Sequence, residues 1–277
     1  MPRLNCLNRS VIVASTAEAR AKANSAANSA VNPAVGDEAY DRYVSTHLSA
    51  IRAHGPAALE SDRRVWRDYF ASLLPADRSA RIADIGCGSG SFLYFLNAQG
   101  YANACGVDRS PEQIELAQRY GIEGAAEGDA MSFLAANPAA FDCVATIDVL
   151  EHLERSETLA FLRAMFAALR PGGQLILRTA NGAGPLAGRI RYADFTHLQS
   201  FTLSSISQVL RLAGFERIRV LPEGPRVHGA ISAARWMLWQ GINAGLRLYL
   251  ATETGQIQRE IFTRNLIAVA HRSSANE

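Results

Sequence analysis

Lysine is almost missing from this chain of 277 residues: Lys22 stands alone, and arginine supplies the rest of the 28 basic residues. Against 26 acidic residues the formal net charge is +2, so net charge implies no polyanion-binding surface and no nucleic-acid partner is expected. The arginine preference is read as genome composition rather than as a device for gripping phosphates. Cysteine is scarce too. Cys6, Cys87, Cys105 and Cys143 form no CxxC pair and no ligand-like spacing, which excludes a disulfide framework and a recognisable zinc motif and makes a reducing cytoplasm the default. The N-terminus lacks a signal core: its apolar run, residues 11–14, falls short of the roughly 7 residues export requires. What is present is apolar substance, 48% hydrophobic against 19% charged residues, enough for a core and incompatible with disorder throughout.

Residues 1–36 are dominated by Ala, Asn and Ser and are expected to form a flexible tail. Residues 37–76 are read as a helical lid. Tyr40, Tyr43, Val44, His47, Leu48 and Ile51 follow helical spacing, as do Val65, Trp66, Tyr69, Phe70, Leu73 and Leu74 before Pro75. From residue 77 to 277 short apolar strands alternate with helical stretches, the pattern of a parallel sheet covered by helices. Strands are expected at 81–85, 103–107, 122–126, 141–147, 174–180, 215–221 and 265–271. Ser110, Pro111 and Gln113 suit N-cap, N1 and N3 of one helix, and Ser204 can open another that Gly214 stops. The stretch 222–263 is too long for a hairpin connection, and 231–250 contains only Arg235 and Arg247 as charges. It is read as an inserted helix. Trp236, Trp239 and the Gly241/Gly245 pair suit a lid over the cleft, packing against a second copy of the chain, or contact with the inner face of a membrane.

The strongest chemical signal is RIADIGCGSGSF, residues 81–92, where a strand runs into Gly86, Gly88 and Gly90 and then a helix. This GxGxG spacing differs from the GxGxxG of pyrophosphate sites. Asp84 beside the loop would repel a pyrophosphate yet attract an ammonium, which favours S-adenosylmethionine over NAD. Asp108, 22 residues after Gly86 at the next strand end with Arg109 beside it, can accept both hydroxyls of a ribose. Asp129 follows the third strand, where an acid can accept an adenine amino group while the amides of Ala130 or Met131 meet a ring nitrogen.

These motifs, with FDCVATIDVLEHL (141–153) and LRPGGQLILRTAN (169–181) after them, resemble the class I S-adenosylmethionine-dependent methyltransferases, especially the small-molecule branch that includes the ubiquinone-biosynthesis O-methyltransferases. The resemblance covers residues 80–220. It implies a Rossmann-like, doubly wound α/β sheet of seven strands with the last antiparallel. It also implies S-adenosylmethionine held by Asp84 and the glycines, Asp108 at the ribose, and Asp129 with Ala130 at the adenine. YDRYVSTH and YADFTHLQSFTLSSISQVLRLAGF resemble a bacterial subgroup associated with glycan gene clusters, which implies a saccharide or lipid-linked acceptor beside the small-molecule one.

For an alcohol or phenol acceptor two histidines offer a base. His197, in DFTHLQSFT, has Asp194 at hand to orient it; His152 follows Asp148 and Glu151 in DVLEH. Asp148 is counted with the cofactor-binding residues. The DVLEH cluster also has the chemistry of a divalent-cation site, although no residue is assigned as a metal ligand. His47 is read as a histidine satisfied at a helix interface or as part of the lid, and Cys87 as a small loop residue without catalysis. Two other classes stay open: a nicotinamide-dependent oxidoreductase on a similar sheet, and a cofactor-binding scaffold without turnover.

Overall fold

The computed structural model describes residues 42–48, 55–257 and 259–274. The expected tail 1–36, and Tyr40 and Ile51 of the first expected helix, lie outside the described residues. What is described there is a single helical turn, Val44–Leu48, which we call the strap.

Helix α1, Pro56–Phe70, opens with proline at its first turn, where no hydrogen bond is lost. It ends before Pro75, the expected stop. Beyond Phe70 the chain turns, buries Leu74 and offers the Leu73 carbonyl to the Gln174 Nε2 at 2.7 Å. The alternation that follows is β1 (Ile82–Ile85), α2 (Ser91–Ala98), β2 (Ala104–Asp108), α3 (Pro111–Arg119), β3 (Ala125–Glu127), α4 (Ala130–Ala135), β4 (Phe141–Ile147), α5 (Arg155–Ala168) and β5 (Leu169–Ala180). A short helix α6 (Ala187–Arg191), α7 (Leu203–Leu212), β6 (Glu216–Pro222), α8 (Ala230–Thr254) and β7 (Asn265–His271) complete it.

The seven strands run in the order β3-β2-β1-β4-β5-β7-β6. The pairs β1–β2, β1–β4, β2–β3 and β4–β5 are parallel, whereas β7 is antiparallel to both neighbours. The order reverses between β2-β1 and β4, which opens a crevice at the carboxyl ends of these strands. Strands buried on both sides read as near-continuous apolar runs; β1, IADI, is buried throughout and apolar but for Asp84. One face carries Phe133, Phe161, Met165, Ile206 and Leu210, the other Trp66, Phe70, Phe92, Phe95 and Ile114. Trp66, Phe70 and Phe92 contact edge to face at centroid distances of 5.4 to 5.8 Å, the geometry aromatic quadrupoles favour. This cluster anchors α1 to α2.

Three local expectations are corrected. The third strand begins at Ala125, not 122, because Ile122 closes the end of α3 on the Ala117 carbonyl (2.9 Å) and its side chain plugs the space beneath Gly90. Ser110 does precede α3, but its hydroxyl makes no cap bond and Gln113 does not reach back; Asp108 Oδ1 accepts the Ser110 N–H instead, at 2.8 Å. Thr202, not Ser204, caps α7, exchanging bonds with Ser205. The inserted helix forms over 25 residues with none buried. Among the described residues no helix is long and apolar enough to cross a membrane.

Candidate active site

A cleft of about 1820 Å³ lies at the carboxyl ends of β1, β2, β3 and β4. That exceeds the range of roughly 300–1,000 Å³ common for one small ligand, room enough for two. Its floor is the turn between β1 and α2. Gly86 (φ 76°) and Gly90 (φ 79°) both take left-handed backbone, and an added Cβ would meet Val149 Cγ2 at 2.4 Å or Ile122 Cγ2 at 2.8 Å. Glycine is required at both positions by conformation and by space. Gly88 presents its N–H to Asp108 Oδ2 at 2.8 Å, tying the turn to β2.

Asp84 stands below this turn, 1% exposed, and neither carboxylate oxygen has a hydrogen-bond partner. Burial, reinforced by the charge of Asp108, pushes its pKa up to about 8. A buried carboxylate without a donor is costly unless a cation or donor completes it. Asp108 is also pushed above the usual carboxylate range by burial, against the pull of the Ser110 and Gly88 amides. Gln113, whose spacing marks it only as a helix-start residue, is buried with Oε1 unpartnered and its amide beside Gly88. As the third residue of a capped helix it looked structural; its orientation toward the loop is a tertiary fact. Asp129 caps α4, its Oδ2 accepting the Ser132 N–H at 2.7 Å. The cap fixes the turn that brings Ala130 and the exposed Met131 to the cleft wall. Arg109 lines the same end and is exposed.

Asp148 lines the cleft with φ 56°, and its carboxylate grips the Arg178 guanidinium, Nε to Oδ1 at 2.8 Å and Nη2 to Oδ2. Arg178 also donates to Glu223 Oε1 at 3.0 Å and lies over the Trp66 ring, 4.5 Å from its centroid. Glu151 is buried and receives the Thr179 hydroxyl at 2.9 Å; burial and the charge of Asp148 raise its pKa. DVLEH therefore does not gather its three side chains into one metal-binding set: Asp148 turns to Arg178, Glu151 to Thr179, and His152 to Thr196.

His152 and His197, from segments flanking β5, do meet, with ring centroids 4.7 Å apart. The Thr196 hydroxyl donates to Asp194 Oδ1 at 2.7 Å and so accepts from His152 Nδ1–H at 2.8 Å. This bond fixes the tautomer in which His152 Nε2 is the basic nitrogen. Burial, with the neighbouring His197, pushes the His152 pKa down to about 4. The expected orienter of His197 is corrected: its Nδ1 pairs with the Ile190 carbonyl at 2.9 Å, while Asp194 Oδ2 lies 4.0 Å from Nε2. Asp194 is instead the hub. Its Oδ2 receives the Tyr43 hydroxyl at 2.5 Å and lies 3.2 Å from His47 Nε2. Burial opposes its ionisation, but the bonds from Tyr43 and Thr196 prevail and lower its pKa. The strap is thus pinned to the histidine end of the cleft, and also to α3 through Ser45 N–H and Glu112 Oε2 at 3.0 Å. Cys87 is buried, and burial raises its thiol pKa further.

A Rossmann-like sheet with β7 inserted antiparallel between β5 and β6, a glycine turn over a buried acid and a second acid ending β2 define the class I methyltransferase architecture. Residues 59–220, more than half of the sequence, match the family of methyltransferase domains, and the chain belongs to that family. A ubiquinone biosynthesis O-methyltransferase of Xylella fastidiosa (strain 9a5c) is 34% identical over 161 residues, 52% of this chain and 64% of the relative. One of the same name from Xanthomonas campestris pv. campestris (strain B100) is 34% identical over 119 residues, 41% of this chain and 48% of the relative. The chain thus spans between about half and two thirds of the length of these relatives. Among solved structures, a SAM-dependent methyltransferase from Archaeoglobus fulgidus superposes with a TM-score of 0.57 over 77% of this chain and 94% of its own, at 18% identity.

Proposed function

We propose that this chain is an S-adenosylmethionine-dependent O-methyltransferase acting on a hydroxyl of a small molecule, a saccharide or a lipid-linked glycan. The observation that carries the cofactor is Asp84: a buried acid with both oxygens unpartnered beneath the glycine turn suits the ammonium of a methionine-like ligand. It does not suit a pyrophosphate, which disfavours the oxidoreductase reading. Oxygen as the methylated atom is supported by the names of the 34%-identical relatives. When bound, the cofactor supplies an electrophilic methyl group on a sulfonium.

The chain's own residues do the rest. Asp84 holds the ammonium, Asp108 accepts the ribose hydroxyls, and the turn capped by Asp129 offers the amides of Ala130 and Met131 to the adenine edge. His152, His197 and Asp194 form the acceptor end, where two imidazoles hydrogen-bond the hydroxyl and take its proton. His152, pushed down to about 4, holds a proton poorly and suits orientation better; His197 is assigned the proton at Nε2. Tyr43 and His47 close this end against water, which matters because placement and desolvation supply most of the acceleration in such a displacement.

Helix α8 supplies the partner surface in this proposal. Ile231, Leu238, Ile242 and Tyr249 fall on one stripe, each at least half exposed, with Arg235 beside it. Such a face suits the inner surface of a membrane bearing a lipid-linked acceptor. The test is transfer of label from methyl-labelled S-adenosylmethionine to phenols and saccharides, free in solution and embedded in anionic vesicles. Label on an acceptor oxygen is expected, and Leu238→Glu with Ile242→Glu should lower turnover only on the vesicle-bound acceptors. Label on nitrogen or on no acceptor would contradict the O-methyltransferase reading. Equal loss on both acceptor forms would contradict the membrane role and point to a dimer or a lid.

A further inference from the structure

The acceptor end holds more metal-ligating chemistry than hydrogen bonding of one hydroxyl requires. One nitrogen of His152, one nitrogen of His197 and one oxygen of Asp194 all lie within 4.8 Å of one another. These residues come from two segments, 152 and 194–197, that converge across the end of β5. The carboxylate is 5% exposed and all three residues line the cleft.

We propose that His152, His197 and Asp194 bind a divalent transition-metal ion of the zinc, cobalt or iron kind, and that this ion receives the acceptor hydroxyl. Three features support the set. Two imidazoles and one carboxylate suit borderline divalent ions and leave coordination positions open for a substrate oxygen, whereas magnesium and calcium prefer oxygen ligands alone. Each ring is also oriented through its other nitrogen, His152 by Thr196 and His197 by the Ile190 carbonyl. Such outer bonds present a metal-binding histidine in the correct tautomer. Finally, the carboxylate is itself held from outside the set, by the Tyr43 and Thr196 hydroxyls and by His47 Nε2 at 3.2 Å from Oδ2, which leaves the fourth position to the acceptor oxygen. Tetrahedral bonds of about 2.0 Å need ligand atoms roughly 3.3 Å apart. The three ligand atoms, within 4.8 Å of one another and 4.0 Å apart in the His197–Asp194 pair, reach that spacing by side-chain rotations.

The role given to the ion rests on the methyl-transfer reading; the binding site does not. With the ion in place both imidazoles would be ligands, so the hydroxyl would ionise on the metal as the acceptor binds, its proton leaving to solvent before this end is closed. The oxygen–methyl bond forms as the methyl–sulfur bond breaks, and the electron pair stays on sulfur. No redox change is involved.

The test is titration of the chelator-stripped full-length protein with Co2+, read by its visible absorption and by calorimetry. One equivalent should bind, and His197→Gln and Asp194→Asn should each weaken binding by at least about 10–100-fold, the loss that removing an outer partner alone brings, while leaving affinity for S-adenosylhomocysteine within about twofold, the check that both variants fold. Asp108→Ala should keep the metal and lose the homocysteine ligand. Absence of one-equivalent binding, or binding that both ligand substitutions leave intact, would overturn the proposal. Metal binding without any S-adenosylhomocysteine binding would keep the site and remove the methyl-transfer reading.

Discussion

Asp84→Asn is expected to melt at a higher temperature than the parent chain at pH 8 and, at the same time, to lose nearly all affinity for S-adenosylhomocysteine. Both effects follow from a carboxylate that is buried, unpartnered and pushed up to about 8 by burial and by Asp108. Because the folded pKa lies above the unfolded one, the folded chain holds the proton more tightly. The destabilising contribution is therefore absent below about pH 4, grows as the pH rises, and is complete above about pH 8. Even half of that shift is worth roughly 2–3 kcal/mol, or about 4–12 °C in melting temperature for a domain of this size. Asparagine has no charge to bury, so the ligand-free variant gains most at pH 8 and nothing at pH 4. The ligand, in contrast, loses its counter-charge. Breaking a buried ion pair costs about 3–5 kcal/mol, roughly a hundred- to several-thousandfold in affinity. In the parent chain affinity should fall as the pH is lowered below about 8, because Asp84 must ionise to hold the ammonium. Thermal unfolding and calorimetry at pH 4, 6 and 8 read all three effects; unchanged affinity in Asp84→Asn would remove Asp84 from the site.

Arg178→Met should be the most destabilising single change near the cleft. The guanidinium, 13% exposed, joins Asp148, 39% exposed, to Glu223, 10% exposed, and covers Trp66. Methionine keeps much of the volume but leaves Asp148, beside the buried Glu151, and Glu223 without their cation. The expected loss is about 3 kcal/mol, the low end for a broken buried pair because Asp148 reaches water. The melting temperature should fall by roughly 6–12 °C. Adding Glu223→Gln should return part of the loss by removing one orphaned charge. A loss below about 1 kcal/mol would show that solvent satisfies the network.

The parts of the site written in one stretch of chain were legible in the sequence. Strand, glycine turn and helix at 81–92 are contiguous, so Asp84 and the glycines could be placed by spacing alone, and Asp108 followed as the end of the next strand. The inserted helix was legible from its length and its two charges. The histidine end of the cleft was only half legible. His152 and His197 were recognised separately, but their contact depends on how the segments flanking β5 return to one edge of the sheet, and local patterns carry no distance across 45 residues. By sequence proximity Asp194 reads as the orienter of its near neighbour His197. Instead it reaches His152 through Thr196 and accepts Tyr43 and His47 from a strap some 150 residues away. Arg178 gave no signal, because an arginine ending an apolar strand reads as an exposed terminus until Asp148 and Glu223 are seen on either side of it. Ile122 misled in the other direction: an apolar residue before a strand counted as strand, whereas it serves the glycine turn.

The most direct measurement is calorimetric titration of the purified chain with S-adenosylhomocysteine and, separately, with NADH, each repeated on Asp108→Ala. One equivalent of S-adenosylhomocysteine should bind the parent chain with micromolar affinity, and the substitution should abolish it, with no heat from NADH in either protein. Binding of NADH in place of S-adenosylhomocysteine, or S-adenosylhomocysteine binding that Asp108→Ala leaves intact, would contradict the site described for this chain.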